Sequence, residues 1–124
     1  MIFRDDDVGK YTDLSTIMRL QDLFDKHGKV HTVAVLMEDL WESKGIWHWL
    51  LTTPNLNIAL HGWKHDDYSL MNRYAARDEI EKCLTYWENK VKHGGYEFKP
   101  LKVFFPPWNR VGRETIEVCD DLGI

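Results

Sequence analysis

Four short apolar runs alternate with four helical segments along this chain, and the alternation restricts its fold more than any other feature of the sequence. The runs are MIF at the start, VHTVAVLM from Val30, LNIAL from Leu56 and LKVFF from Leu101. After the first, Leu14, Ile17, Met18, Leu20, Leu23 and Phe24 recur at helical spacing, with Thr12 or Asp13 to cap the start and Gly28 the end. A short helix around Ile46 to Leu51 is closed by Pro54. A longer one carries Ile80, Cys83, Leu84 and Trp87 on one face and stops at Gly94-Gly95, and GRETIEVCDDLGI forms the last. The order β-α-β-α-β-α-β-α predicts an α/β fold of parallel strands joined by right-handed helical crossovers. At 124 residues the expectation is a single domain, 1–124, around one core.

Parallel α/β folds keep their working residues at the C-terminal edge of the sheet. The first strand runs into Asp5-Asp6-Asp7, the third into His61 with His65 beyond it, and the fourth into Pro106-Pro107-Trp108-Asn109-Arg110. The second ends less distinctively in Glu38-Asp39. Taken singly, each has an ordinary explanation: surface histidines, a solvated turn, a turn packed by its tryptophan. Their shared position is the argument for a site. Two histidines with a nearby carboxylate suit one metal ion, zinc or a non-heme iron. Three protein ligands leave a position open, where the pKa of a water falls to about 7. HGWKH is not HExxH, because Gly62 stands where that motif has its glutamate, and glycine there favours a turn over a helix. Adjacent aspartates can divide the remaining work, one as ligand and one as proton acceptor. His27, His31, His48 and His93 are read as structural, His27 at a helix C-terminus where a cation is favoured.

A net charge of −4 and the lack of any Lys/Arg cluster argue against a nucleic-acid partner. The apolar runs are too short to cross a bilayer, and acids occupy the place of a signal peptide's apolar region, so a cytoplasmic protein without membrane attachment is expected. Cys83 and Cys119 have no metal-knuckle spacing and read as buried thiols in a reducing compartment. Six tryptophans is a high number, and some are expected to line a groove.

FRDDDVG, HGWKH and FFPPWNR, in that order, resemble the first three motifs of the polysaccharide deacetylases, the NodB-homology or carbohydrate esterase family 4 group. The resemblance implies a partial or distorted (β/α) barrel, since four βα units cannot close one. It implies a metal-dependent hydrolase that removes acetyl groups, through a C–N or ester bond, from an N-acetylated carbohydrate. Asp6 would be the catalytic base, and Asp7, His61 and His65 would hold a divalent metal, zinc foremost. Trp63, Pro107, Trp108, Asn109 and Arg110 would meet the substrate. Three departures matter. Gly62 replaces a hydroxyl residue that steadies the histidine loop. Phe105 stands where an arginine pairs with the catalytic aspartate, leaving Arg4 or Arg110 to supply that charge. The histidine general acid of the family's fifth motif has no counterpart in these residues. The resemblance is expected to span about the first two-thirds of a family domain. Low intrinsic activity follows, and a second reading stays open: a metal-holding relative that binds carbohydrate or serves as a subunit. Unpaired outer strands further suggest a homodimer.

Overall fold

The computed structural model describes residues 1–124 apart from the side chain of Lys44. Three parallel strands, β1 (Phe3–Val8), β2 (His31–Leu36) and β3 (Leu56–Gly62), lie side by side in chain order. The helices are α1 (Leu14–Lys26), α2 (Lys44–Thr52), α3 (Arg73–His93) and α4 (Arg113–Leu122). Single 3₁₀ turns cover Leu40–Glu42 and Pro107–Asn109. Parallel strands with helical crossovers make part of a (β/α) barrel that does not close. No described helix is long and apolar enough to cross a membrane.

The expected fourth strand shrinks to a bridge. Leu60 donates its N–H to Val103 O at 2.8 Å, Phe105 donates to Leu60 O at 2.9 Å, and the ladder goes no further. Pro100 on one side and Pro106-Pro107 on the other lack the N–H groups that would extend it. Even so, the bridge fixes the Pro106–Arg110 segment beside the end of β3.

The start of α1 is capped by Asp13, which accepts the Thr16 N–H, and that of α3 by Asn72, which accepts the Ala75 N–H at 2.9 Å. On α1 only Ile17 and Gln21 are buried, whereas Met18 and Leu23 are exposed. The expected stripe is therefore half covered. Leu20, Leu23 and Phe24 instead border an apolar groove of about 330 Å³ beside Phe3, along the outer edge of β1.

Val33, Val35 and Leu60 meet Trp47, Leu50, Ile80, Trp87 and Val118 in the core. Trp47, Trp49 and Trp87 are buried there, so tryptophan serves the interior more than a groove. A buried tryptophan removes roughly 150–250 Å² from water. At about 25 cal/mol/Å² that is worth on the order of 4–6 kcal/mol, as an upper bound. Cys83 and Cys119 are buried and free, as expected. Burial pushes the Cys83 thiol up to about 12, which keeps it protonated and inert.

Candidate metal centre

The end of β1 is irregular. Its register against β2 shifts between Asp5 and Val8, and Asp7 takes φ +61°, a left-handed conformation that aspartate tolerates better than most residues. Side chains two apart on a strand share a face, so Asp6 lies with Arg4. Asp7 would point the other way, and the bulge turns it back toward the sheet's third strand.

At the end of β3, His61 is 1% exposed and Gly62 takes φ +112°. A Cβ on Gly62 would lie 2.8 Å from Lys64 O and 2.8 Å from the Tyr68 hydroxyl, so only glycine fits. The Tyr68 hydroxyl fills the space beside the Gly62 backbone and is buried next to Glu79. Main-chain bonds from Met37 to Gly62 O (3.1 Å) and from Glu38 to Trp63 O (2.9 Å) tie the turn to the end of β2. Asp67 closes its far side by accepting the Ser69 N–H at 2.9 Å, and Thr115 of α4 donates to Tyr68 O at 3.0 Å.

These two strand ends bring three donor atoms together. His61 Nε2 lies 3.1 Å and His65 Nε2 3.2 Å from Asp7 Oδ1, and all three atoms fall within 4.8 Å of one another. A tetrahedral ion with ligands at ~2.1 Å sets them roughly 3.4 Å apart, so the spacing fits a divalent metal with nitrogen and oxygen ligands. His61 Nδ1 lies 2.6 Å from Phe105 O. A carbonyl only accepts, so Nδ1 carries the hydrogen and Nε2 presents its lone pair toward Asp7 and His65.

No protein-family model and no curated protein matches the sequence, but solved structures match its fold. The fold is that of the family 4 carbohydrate esterases. A family 4 pseudoenzyme from Bacillus anthracis is 15% identical and superposes with a TM-score of 0.77 over 98% of this chain and 41% of its own. A family 4 carbohydrate esterase from Streptomyces lividans, in complex with acetate, is 14% identical, with a TM-score of 0.75 over 100% of this chain and 59% of its own. An acetyl xylan esterase from Clostridium thermocellum, holding a cobalt ion, is 20% identical, with a TM-score of 0.70 over 94% and 53%. The chain thus spans about half the length of these family 4 structures.

Within this family 4 esterase fold, Asp6 meets a cation. Arg4 Nε lies 2.8 Å from Asp6 Oδ1, and Arg4 Nη2 donates to Asn109 Oδ1 at 2.7 Å. The guanidinium carbon stands 4.6 Å from the centre of the Phe105 ring. Of the two candidates for the displaced arginine charge, Arg4 is the one at Asp6. Arg110 is 3.8 Å from Asp67 instead.

The remaining residues named from the sequence are spread around the trio. Trp108 is 56% exposed, with its ring centre 4.2 Å from that of His65 and perpendicular to it. It and Asn109 both have positive φ, at 53° and 54°, on a turn that buries Pro107. Trp63 leans its edge on Tyr86 and has the Lys82 ammonium 3.6 Å from its ring centre. It also lines a cavity of about 210 Å³ with Asp7, Lys10, Tyr11 and His65. A larger cavity, about 570 Å³, lies between Ile2, Asn57, Phe98 and Phe105. It is the smaller one that borders the ligand trio.

Sequence reasoning passed over Tyr11, Tyr68 and Glu79. Tyr11 is 91% exposed at the mouth of the smaller cavity, and its place two residues after Gly9 at a strand end was the available signal. Burial raises Glu79 above the ordinary carboxylate range, the adjacent Tyr68 hydroxyl pulls it partly back, and the neighbouring Asp66 adds to the rise. No motif marks that pairing.

Proposed function

We propose that the chain is a metal-dependent hydrolase that removes acetyl groups from an N-acetylated carbohydrate, with zinc as the metal. The observation that carries this reading is the convergence of Asp7, His61 and His65 on one point, with Asp6 next in the chain. A divalent ion there supplies positive charge, which lowers the pKa of a water and stabilises an oxyanion. The protein's share is to hold the ligands, to take a proton on Asp6, and to seat the sugar against Trp108, with Trp63, Pro107, Asn109 and Arg110 as further contacts. Residues 1–124 act on this reading as one domain, equivalent to the N-terminal part of a deacetylase barrel, in a reducing cytoplasmic setting that suits the free thiols.

One observation favours the second reading, a relative that keeps the metal and groove and binds carbohydrate without turning it over. The other imidazoles are engaged elsewhere: His31 bonds Gln21, His48 bonds Tyr96, His93 bonds Asn89 O and His27 ends α1. None is a proton donor at Asp6. Acetate release from a chito-oligosaccharide, with and without added zinc, separates the readings. The hydrolase reading expects slow, zinc-dependent release that falls about 10² to 10⁴-fold in Asp6→Asn. Unchanged release in that variant refutes it, and zinc and sugar binding without release leaves the second reading.

A homodimer belongs to the same proposal. The outer edge of β1 has no partner among the described residues, and Ile2 and the apolar groove at Phe3 lie beside it. Sedimentation equilibrium at micromolar concentration tests it, and a single species at 14.7 kDa rules it out.

A further inference from the structure

We infer that Arg4 is a positioning residue that holds the base Asp6 in place and links it to the Trp108–Asn109 turn. The inference rests on the hydrolase reading for its catalytic consequence, but its contacts stand apart from that reading. Three of them converge on one planar group. Nε faces Asp6 at 2.8 Å, Nη2 donates to Asn109 at 2.7 Å, and the plane lies over Phe105 with its central carbon 4.6 Å from the ring centre. The Arg4 and Asp6 side chains are only 27% and 29% exposed, so this is not a freely solvated pair. An exposed ion pair with one contact is worth little. A guanidinium fixed at both ends and stacked has one orientation, and an ammonium cannot copy it.

The contact has a further property. Asp6 Oδ1 is buried and receives no aligned hydrogen bond, although Arg4 Nε is within reach. Charge therefore holds this buried oxygen against Arg4, and on the hydrolase reading the proton goes to the other carboxylate oxygen. At the other end of the clamp Asn109 has φ +54°, and its side-chain amide oxygen accepts from Arg4 of β1. A sugar that moved Trp108 would pull on Asn109, and through Arg4 on Asp6. Arg4 thus joins strand β1 to the Pro106–Arg110 turn.

The test uses the intact chain loaded with zinc and three variants, Arg4→Gln, Arg4→Lys and Asn109→Ala. Misplacing a reacting group by an ångström can cost about 10²-fold. Arg4→Gln should therefore lower kcat on a chito-oligosaccharide by about that factor, with KM and the calorimetric zinc affinity little changed. Arg4→Lys keeps the charge but not the fork and should recover only part of the loss. Unchanged kcat, or zinc affinity lost together with activity, overturns the inference. Should the wild type release no acetate, the hydrolase reading fails alone, and nuclear magnetic resonance decides the clamp. The Arg4 Nε–H signal should shift in both Asp6→Asn and Asn109→Ala, and a signal that stays put in either variant ends the idea.

Discussion

His61 and His65 are four residues apart and bring the same ring nitrogen to the same Asp7 oxygen, at 3.1 and 3.2 Å, yet their surroundings share little. His61 is sealed under the bridge to Phe104, and its second nitrogen is held by a main-chain carbonyl at 2.6 Å. His65 stands on a turn, a third exposed, with the edge of Trp108 as its nearest aromatic support. Asp7, opposite both, is 60% exposed. On the proposed metal reading, one ligand is oriented by the scaffold before any ion arrives, and the other two would complete the site from its open side. The buried half supplies geometry and the open half supplies access. Changes in the two halves should therefore separate stability from metal binding.

The largest effect is expected at His61. His61→Ala leaves a cavity and an unpaired Phe105 carbonyl, costing about 2–4 kcal/mol even with chelator present. His65→Ala should lose zinc as fully while shifting stability by only about 0.5 kcal/mol. Urea midpoints in chelator and zinc titrations of both variants check this, and equal destabilisation would break the comparison. Next comes Gly62→Ala, where positive φ and two contacts of 2.8 Å should cost on the order of 2–3 kcal/mol. Adding Tyr68→Phe should not rescue it, because the Lys64 carbonyl still blocks the Cβ.

A smaller effect is expected at Trp108. Trp108→Ala removes the support of His65 and should weaken zinc by about tenfold, the low end for a residue that orients a ligand. Its urea midpoint should barely move, since the ring is half in solvent. The smallest effect concerns Glu79. Its folded-state pKa is raised, so the protonated form stabilises the fold. That contribution is complete below the ordinary value of 4.5 and is lost as pH rises through the raised value. Glu79→Gln cannot ionise. It should match the wild type at pH 4 and exceed it at pH 8 in metal-free melts, and equal curves at both pH values would place Glu79 outside the support of the histidine turn.

The element order, both long helices and the gathering of Asp6, Asp7, His61 and His65 at one edge follow from patterns a few residues long. Apolar period and strand-end chemistry are local, and a parallel sheet aligns every strand end on one side, so the sequence by itself determined the fold class and the candidate ligands. Other features depended on which distant groups share a space. LKVFF has the composition of a strand but only one bridge to make, because its neighbouring prolines cannot donate. Arg4 and Asn109 are 105 positions apart, and no spacing rule links them. The Tyr68 hydroxyl fills the space that a side chain at position 62 would need, a contact made only once the turn has folded. Tryptophans at 47, 49 and 87 enter the core while Trp108 stays in solvent, although one residue type serves both places. Burial and partnership are properties of packed volume, and only the tertiary structure decided them.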